Sequence, residues 1–342
     1  METRDKPFII PIFIPHAGCP HQCIFCNQHA ITGAKGKIIS PENLRLVVSG
    51  FLNYKGEQRK TVQIAFYGGT FLNLPENETV PLLREAARFV EAGDADSIRF
   101  STRPDSIRED RLDMIKDFPV STIEIGVQSM DDRVLSMSRR GHTASDTEEA
   151  VHLLKARNYE AGLQMMVGLP GDSHEKSLDT ARKLSELSPD FVRIYPTMVL
   201  ADSPLAKLHE YGKYVPMPLD ECVTLVKTIY LLFREKGIPV IRMGLQLSED
   251  FEKGTVILAG PYHPAFGHLV HSEIFLDKAS AAISSANFSR DKLTIKVHPR
   301  SHSKMQGIKN KNIEILKDKF DISEIEIISD LSVEQGELEI HA

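Results

Sequence analysis

Short apolar runs recur along this chain, and longer segments with helical patterns separate them. Seven of the runs predict β-strands, at 7–15, 62–70, 97–105, 121–129, 161–170, 191–200 and 239–247. Most of them are apolar nearly throughout, which is typical of strands covered on both faces of a sheet. The regular alternation of strand and helix predicts a parallel sheet with right-handed crossovers, either open or curled into a barrel.

The pattern changes after about residue 250. Residues 292–342 predict a strand, a helix and two further strands, which together form a small α+β module. The preceding stretch, 249–291, contains the loop-like sequence AGPYHPAFGHLVHSE and predicts a linker. We therefore expect three regions, at 1–248, 249–291 and 292–342.

Composition limits the class of protein. Four cysteines in 342 residues, without paired spacing, indicate a reducing compartment and not a disulfide scaffold. No run approaches the ~20 apolar residues that a membrane helix needs. The sequence predicts a soluble cytoplasmic protein with no membrane partner, and it says nothing about the oligomeric state.

Charge is unevenly distributed at the end of the chain. The net charge is −6, but residues 290–319 contain nine Lys and Arg against three Asp and Glu, and residues 320–342 contain seven acidic residues. One interpretation is a solvated helix face that the acidic tail folds against and neutralises. The other is a patch that contacts RNA phosphates, with Lys304, Lys309 and Lys311 projecting around Gly307.

Unusual residues stand where the predicted strands end. Such ends meet at one rim in barrel folds, and that rim is where sites are built. Five ends with such residues therefore frame one candidate cavity: Gly68-Gly69-Thr70, Arg103-Pro104-Asp105, Gln128-Ser129, Gly168-Leu169-Pro170 and Tyr195-Pro196-Thr197.

Three of the four cysteines lie within eight positions near the start of the chain. Cys19, Cys23 and Cys26, here called the cysteine triplet, have the spacing C-x3-C-x2-C. Thiolates on one loop at this spacing can wrap a cubane iron–sulfur cluster, each on a different iron. Cys222 lies in an amphipathic helical pattern and is interpreted as a small buried hydrophobe, which leaves one iron open. The alternative is a zinc site whose fourth ligand is one of three nearby histidines, His16, His21 or His29.

The triplet, with Phe25 before its last cysteine, resembles the signature of the radical S-adenosylmethionine superfamily. The resemblance implies a partial (β/α)6-type TIM barrel of parallel strands, followed here by the small C-terminal α+β module. It also implies that the triplet is catalytic, that it binds a [4Fe–4S] cluster, and that the open iron chelates S-adenosylmethionine. An external electron donor such as flavodoxin or ferredoxin would reduce the cluster, and cleavage of the cofactor would give a 5′-deoxyadenosyl radical.

The resemblance further implies which residues contact the cofactor. Gly68, Gly69 and Thr70 match the segment that contacts its amino group, with Thr70 where most members have Glu. Gln128 and Arg140 match a Gln and an Arg that bind the cofactor in relatives, and Met165 stands where some relatives place an Asp near the ribose. The remaining residues assigned to cofactor binding are Phe25, Tyr67, Arg103 and Tyr195.

A finer resemblance lies within residues 97–212. The segments STRPD, GVQSMDDRVLSMSRRGH, GLQMMVGLPG and VRIYPTMVLADSPLAKLHEYGKY resemble the elongator-catalytic-subunit-like branch, which modifies wobble uridine in transfer RNA. The resemblance covers roughly residues 8–245 and includes neither that branch's basic N-terminal extension nor its acetyltransferase domain. It implies a radical enzyme acting on transfer RNA or another nucleotide.

Two other functions stay open at this point. One is a coproporphyrinogen-oxidase-like carrier of haem or metal without radical catalysis, and the other is a radical enzyme acting on a small metabolite. His263, His268 and His271 also stand close together in sequence. They are interpreted as substrate-facing or solvated side chains, with a second metal site as the alternative.

Overall fold

The structure, a computed structural model, describes residues 7–28, 38–54, 60–245, 256–285 and 291–341. The chain forms two compact units. Unit 1 comprises Met1–Met217 and Leu232–Tyr262, and unit 2 comprises Pro218–Leu231 and His263–Ala342. The boundaries expected from sequence, 1–248, 249–291 and 292–342, stay predictions.

The described residues contain twelve strands and eleven helices. The strands are β1 (Phe8–Phe13), β2 (Val62–Tyr67), β3 (Ser97–Thr102), β4 (Val120–Gln128), β5 (Glu160–Val167), β6 (Phe191–Pro196), β7 (Val199–Leu200), β8 (Val240–Met243), β9 (Ile257–Ala259), β10 (Lys292–Val297), β11 (Glu324–Ser329) and β12 (Leu338–His341). The helices are α1 (Pro41–Asn53), α2 (Glu76–Glu91), α3 (Glu109–Ile115), α4 (Asp132–Met137), α5 (Ala144–Ala156), α6 (His174–Glu186), α7 (Pro204–Glu210), α8 (Leu219–Glu235), α9 (Phe266–Ser285), α10 (His302–Gln306) and α11 (Lys311–Phe320).

Unit 1 is built on a seven-stranded sheet with the order β1-β2-β3-β4-β5-β6-β8. Every neighbouring pair in it is parallel. All seven strands predicted from the apolar runs therefore belong to one sheet, and the predicted partial barrel is confirmed as a parallel half-barrel. A short antiparallel pair, β7 and β9, lies outside this sheet.

Capping chemistry explains where two of the helices begin. Ser40 caps α1, because its hydroxyl oxygen accepts a hydrogen bond from the Asn43 N–H and Pro41 occupies the first turn. Thr143 and Asp146 form a capping box at the start of α5. These caps fix where the two helices begin.

The two faces of the half-barrel differ in chemistry. Fully buried apolar side chains such as Ile64, Phe100 and Ile125 alternate with positions that carry polar side chains, among them Arg99 and Glu124. Both faces of the sheet are buried, as the apolar runs predict, but the inner face carries polar side chains. Its polar side chains are buried because they satisfy one another by hydrogen bonding.

Unit 2 contains a three-stranded sheet with the order β11-β10-β12. Strand β10 is parallel to β11 and antiparallel to β12. Apolar side chains of β10, including Leu293 and Ile295, pack with Phe275 and Ala279 of α9 and Leu316 of α11. The small C-terminal α+β module is confirmed.

The stretch expected to be a linker contains a regular helix. α9 runs through 20 residues of the 249–291 region and supplies part of the core of unit 2. Its buried residues Phe266, Val270 and Ile274 are four positions apart, which is the spacing of one helix face. That spacing was the signal that the loop-like composition obscured. Among the described residues, no helix is both long enough and apolar enough to cross a membrane.

Candidate active site

The cysteine triplet lies on residues 14–28, here called the cysteine loop, directly after β1. The first part of this loop is fastened to the end of β2 by backbone hydrogen bonds. The N–H of Ile14 donates to the Tyr67 carbonyl and that of His16 to the Gly68 carbonyl, each at 2.8 Å. The N–H of Thr70 donates in return to the Ala17 carbonyl at 2.8 Å. The two segments predicted to bind the cluster and the cofactor are therefore held side by side.

Two glycines make this close approach possible. A Cβ at Gly69 would overlap the Ala17 carbonyl oxygen and stand 2.7 Å from that of Ile14. Gly68 has a φ of +93°, a conformation that glycine adopts without strain. Contact with the cysteine loop therefore explains the glycine at position 69, and backbone conformation explains the glycine at position 68. Their predicted contact with a cofactor stays a prediction.

The second part of the cysteine loop is held by two other segments. The N–H of Ile24 donates to the Ser138 carbonyl at 3.2 Å, and the Ile24 carbonyl accepts from the Leu205 N–H at 2.7 Å. Phe25 is half-buried and packs against an apolar cluster that includes Val199 and Leu205. An aromatic side chain at this position anchors the loop between the second and third cysteines of the triplet.

The three thiols are protected from water to different degrees and are near other donors. Cys23 is buried, and Cys19 and Cys26 are half-buried. The Cys19 Sγ lies 3.3 Å from the Thr70 Oγ1, and the Arg140 Nη1 donates to the Cys23 Sγ at 3.1 Å. Burial, with the neighbouring thiols, raises the pKa of Cys26 to about 12. Burial also raises the pKa of Cys19.

This donor set fits a multinuclear cluster. Thiolates crowded in a buried place repel one another unless a cation binds them. Within the described ranges, no group of three or more His, Cys, Asp and Glu side chains is arranged to hold a single metal ion. Three thiols on one loop suit ligands that each bind a different iron. Of the histidines in the zinc alternative, His16 already accepts from the Gln28 N–H at 3.0 Å through its Nε2, and His29 lies outside the described residues.

Arg140 and Gln128 converge on the same short piece of β4. Arg140 is buried and, besides its bond to Cys23, donates through its Nη2 to the Gly126 carbonyl. Gln128 ends β4 with a φ of +71°, and its amide nitrogen would stand 3.0 Å from a Cβ at Gly126. The Arg140 Nε is buried and has no hydrogen-bond partner within the described residues. A guanidinium with an unused donor beside the triplet fits an anionic ligand.

Arg103 belongs to the same rim. Its guanidinium forms two hydrogen bonds with the Asp105 carboxylate, at 2.9 and 2.8 Å, and its Nη1 is buried without a partner among the described residues. Sequence reasoning missed His142, which lies nearby. Burial, followed by the positive charges of Arg140 and Arg103, lowers the pKa of His142 to about 3. The imidazole is therefore neutral at pH 7.

Met165 lies elsewhere. It is fully buried, and so is Ile194, its register partner on β6. The preceding residue, Gln164, donates to the Glu124 carboxylate on the inner face. Because successive strand residues point to opposite faces, Met165 lies on the face that the helices cover. This position does not support the predicted contact of Met165 with the cofactor.

A buried polar network fills the inner face of the half-barrel beneath the rim. The Glu124 carboxylate has no exposed surface and accepts from the Arg99 Nη2 at 2.6 Å and the Arg193 Nη2 at 2.8 Å. It also accepts from the Tyr67 hydroxyl at 3.0 Å. The Tyr195 hydroxyl accepts a hydrogen bond from the Arg193 Nη1 at 3.4 Å. Tyr67 and Tyr195, predicted as cofactor contacts, are thus members of this network.

The network also sets protonation states. Burial, followed by the Glu124 charge, raises the pKa of Tyr67 to about 12. Although burial opposes the charge on Arg193, the Glu124 carboxylate raises the pKa of that guanidinium. Three charged side chains and a neutral phenol therefore meet in the interior. The sequence signal for them is polar residues two positions apart, as at Thr122 and Glu124.

A depression opens on the outside of the cysteine loop. It has a volume of about 560 Å³ and lies between the loop and the region around α4. Its lining residues are His21, Gln22, Asp132, Ser136, Arg139, Gly141, His142 and Thr143. Gly141 packs directly on the His21 ring, and any side chain there would overlap it.

The histidines of unit 2 do not form a metal site within the described ranges. His263 accepts the Ala265 N–H at 3.1 Å, and His271 packs edge-on against the Tyr230 ring. Burial, followed by the charge of Lys304, lowers the pKa of His268. His263 and His271 have separate partners, so the described residues give the second-metal alternative no support.

The basic segment of unit 2 is neutralised in part. Lys292 lies 3.2 Å from Glu324 and 2.9 Å from Glu326, and Lys296 lies 3.5 Å from Asp330. The acidic tail therefore pairs with the lysines of β10, as one of the two interpretations expects. Lys309 and Lys311 are exposed and have no such partner among the described residues, whereas Arg290 lies outside them. An RNA contact by this segment stays a prediction.

Comparison with known proteins identifies the family. The model of the radical SAM superfamily matches residues 13–184, half of the chain, and that of the radical SAM C-terminal domain matches 189–275. The chain belongs to the radical SAM superfamily, and it is an enzyme. The family uses a [4Fe–4S] cluster and S-adenosylmethionine, and the cysteine triplet and its rim fit both.

Two relatives indicate the branch of the superfamily that this chain resembles. A tRNA uridine(34) acetyltransferase of Dehalococcoides mccartyi is 29% identical over 246 residues, which cover 63% of this chain and 54% of that protein. The human Elongator complex protein 3 is 26% identical over 225 residues, covering 57% of this chain and 41% of that protein. The chain thus spans about half the length of these relatives.

A solved structure shows the same fold. The archaeal Elp3 of Methanocaldococcus infernus, with its N-terminus deleted, superimposes with a TM-score of 0.60 at 20% identity. The match covers 78% of this chain and 63% of that chain. At this identity the superposition shows the fold, and the sequence relatives above confirm the elongator-like resemblance.

Proposed function

We propose that this chain binds a [4Fe–4S] cluster through the cysteine triplet, cleaves S-adenosylmethionine reductively, and modifies a nucleotide of transfer RNA. One observation carries the first two steps. The three thiols lie on a loop fastened to the Gly68–Thr70 segment, and Arg140 bridges Cys23 and the Gly126 carbonyl. The metal-binding and cofactor-binding elements of the proposal are thus one connected structure.

Different residues of this chain would orient the cofactor and shield the reacting atoms from water. When bound, the cluster and S-adenosylmethionine together supply a 5′-deoxyadenosyl radical from one electron. Arg140 and Gln128 would orient the carboxylate of the cofactor, because a guanidinium and an amide offer parallel N–H donors. Thr70 offers a hydroxyl beside the Cys19 sulfur. The half-barrel keeps water from the reacting atoms, since the walls beneath the rim are buried.

The electron comes from another protein in this proposal. Three of the chain's four cysteines form the triplet, and the fourth, Cys222, is a single buried residue of unit 2. Four cysteines do not provide thiolates for a second cluster. An external donor such as flavodoxin or ferredoxin would therefore reduce the site.

Transfer RNA as the substrate is supported by the relatives. Two of them are tRNA uridine(34) acetyltransferase and Elongator complex protein 3, and the superimposed structure is an Elp3. We take from these names the class of substrate only.

Modified-nucleoside profiling tests the substrate. Transfer RNA would be digested and analysed by mass spectrometry from three strains: cells with the protein, cells without it, and deleted cells that express the Cys23→Ala variant. We expect one modified nucleoside to be present in the cells with the protein and absent from both the deleted cells and the deleted cells that express Cys23→Ala. Identical profiles in all three strains would refute the transfer RNA substrate.

A further inference from the structure

The last residues of β4 have an irregular backbone. Gly126 and Gln128 are paired with consecutive residues of β5, Gln164 and Met165, so Val127 is an extra residue that bulges out of the regular register. Gln128 follows it with a φ of +71°, in the left-handed region that residues other than glycine rarely adopt. A strained backbone of this kind persists only where the surrounding groups hold it in place.

Two side chains from one short segment bond the carbonyls that precede Gln128. The Arg140 guanidinium donates to the Gly126 carbonyl. The His142 Nε2 lies 3.2 Å from the Val127 carbonyl oxygen. Because a carbonyl only accepts, the Nε2 carries the ring proton and donates it in this hydrogen bond. Both carbonyls of the bulge are therefore fixed from the same side.

The backbone of residues 139–142 is shaped for these two contacts. Arg139 and Gly141 are exposed and have left-handed conformations, with φ of +53° and +71°. Arg140 and His142 alternate with them and are buried. Arg140 also donates to a thiol of the cysteine triplet at 3.1 Å. The segment thus connects the end of β4 with the cysteine loop.

A neutral imidazole suits this position. Burial, followed by the positive charges of Arg140 and Arg103, lowers the pKa of His142 to about 3, so the ring is uncharged at pH 7. A lysine or an arginine could also donate to the Val127 carbonyl, but it would add a third positive charge beside two guanidinium groups. The histidine supplies the hydrogen bond without that repulsion.

We propose that His142 is a positioning residue for S-adenosylmethionine, which acts by holding Gln128 beside Arg140. The amide nitrogen of Gln128 and the Arg140 Nη2 lie 3.0 and 3.4 Å from the place that a Cβ at Gly126 would occupy, so the two donors are directed to one place. Without its bond to His142 the bulge can relax, and the amide is displaced from the guanidinium. The proposal rests on the proposed function for the roles of Gln128 and Arg140.

The cysteine loop does not depend on the His142 bond. Its backbone is held by hydrogen bonds from Ile14 and His16 to the end of β2 and from Leu205 to Ile24. Loss of the His142 donor should therefore lower the affinity for S-adenosylmethionine and leave iron binding unchanged. A residue that served the fold alone would lower both.

Equilibrium dialysis of radiolabelled S-adenosylmethionine against the full-length, anaerobically reconstituted protein, without reductant, tests the proposal. His142→Gln keeps an amide N–H that reaches the Val127 carbonyl, whereas His142→Asn is one methylene shorter and does not reach it. We expect His142→Asn to raise the Kd about tenfold and His142→Gln to stay within about threefold of the wild type. His152→Asn, which changes an exposed histidine of α5, should bind like the wild type. All four proteins should contain the same amount of iron.

A double variant tests whether His142 acts through Gln128. In a Gln128→Ala background, His142→Asn should cause little further loss of affinity, because the amide that it positions is absent. Losses that add in full would overturn the proposal, and so would an iron loss from His142→Asn or an affinity of His142→Asn equal to that of the wild type. His142→Gln keeps both the donor and most of the volume, so weak binding by this variant would overturn the proposal even where His142→Asn does not fold.

The proposal and the proposed function can fail separately. Unchanged transfer RNA profiles together with the expected affinities would refute the transfer RNA substrate alone. Wild-type affinity in His142→Asn together with altered transfer RNA profiles would refute the role of His142 alone.

Discussion

Glu124→Gln is expected to destabilise the protein strongly. The Glu124 carboxylate is completely buried and is the counter-charge for Arg99 at 2.6 Å and Arg193 at 2.8 Å. Glutamine has the same shape but no charge, so the substitution leaves two buried guanidinium groups without a counter-ion. Breaking a buried ion pair from one side costs about 3–5 kcal/mol. Urea unfolding followed by circular dichroism measures this loss in the free energy of unfolding.

Glu85→Gln provides the matched control. Glu85 is also buried and pairs with Arg45 and Arg88, but those arginine side chains are 52% and 60% exposed. Water can solvate them when the carboxylate charge is removed, so the loss should be much smaller than for Glu124→Gln. Equal losses in the two variants would refute the claim that burial of the arginines determines the cost.

Three further predictions test the site. Gly69→Ala should displace the cysteine loop, because a Cβ there overlaps the Ala17 carbonyl oxygen. The variant should therefore bind less iron after anaerobic reconstitution. Gly50→Ala is the control and should bind as much iron as the wild type, because a Cβ at Gly50 contacts nothing. The wild type should lose stability as pH falls from 6.5 toward 3, by about 1.4 kcal/mol per pH unit from His142 alone, since the unfolded imidazole takes up a proton that the folded one does not. A His142→Asn variant should lack this part of the loss in acid unfolding curves, and identical curves would contradict the assignment. Cys222→Ala should retain its iron with at most a modest stability cost, whereas alanine at any position of the cysteine triplet should abolish iron binding; iron loss from Cys222→Ala would mean that Cys222 is a ligand.

The sheet and the cysteine loop could be predicted because their signals are local. Each strand is a run of apolar residues, and the triplet lies within eight positions of the chain. The family resemblance predicts Gly69, which follows β2, and Arg140, which follows α4, as cofactor contacts. The structure adds a physical reason for Gly69 that concerns the cysteine loop.

The inner network and α9 could not be read in the same way. Arg99, Glu124 and Arg193 come from three strands and meet only because of the register between them. Each by itself is one charge within an apolar run, which gives no sign of a partner. In α9 the helical spacing of Phe266 and Val270 is present, but glycine, proline and histidine in the preceding stretch favoured a loop.

The most direct test of the account is the production of 5′-deoxyadenosine. Anaerobically reconstituted protein would be reduced with dithionite and incubated with S-adenosylmethionine, and the product would be quantified by mass spectrometry. We expect 5′-deoxyadenosine from the wild type and from Cys222→Ala, and none from Cys23→Ala. Absence of the product from wild-type protein that has its full complement of iron would contradict the radical mechanism, and haem bound by the same protein would support the carrier alternative instead.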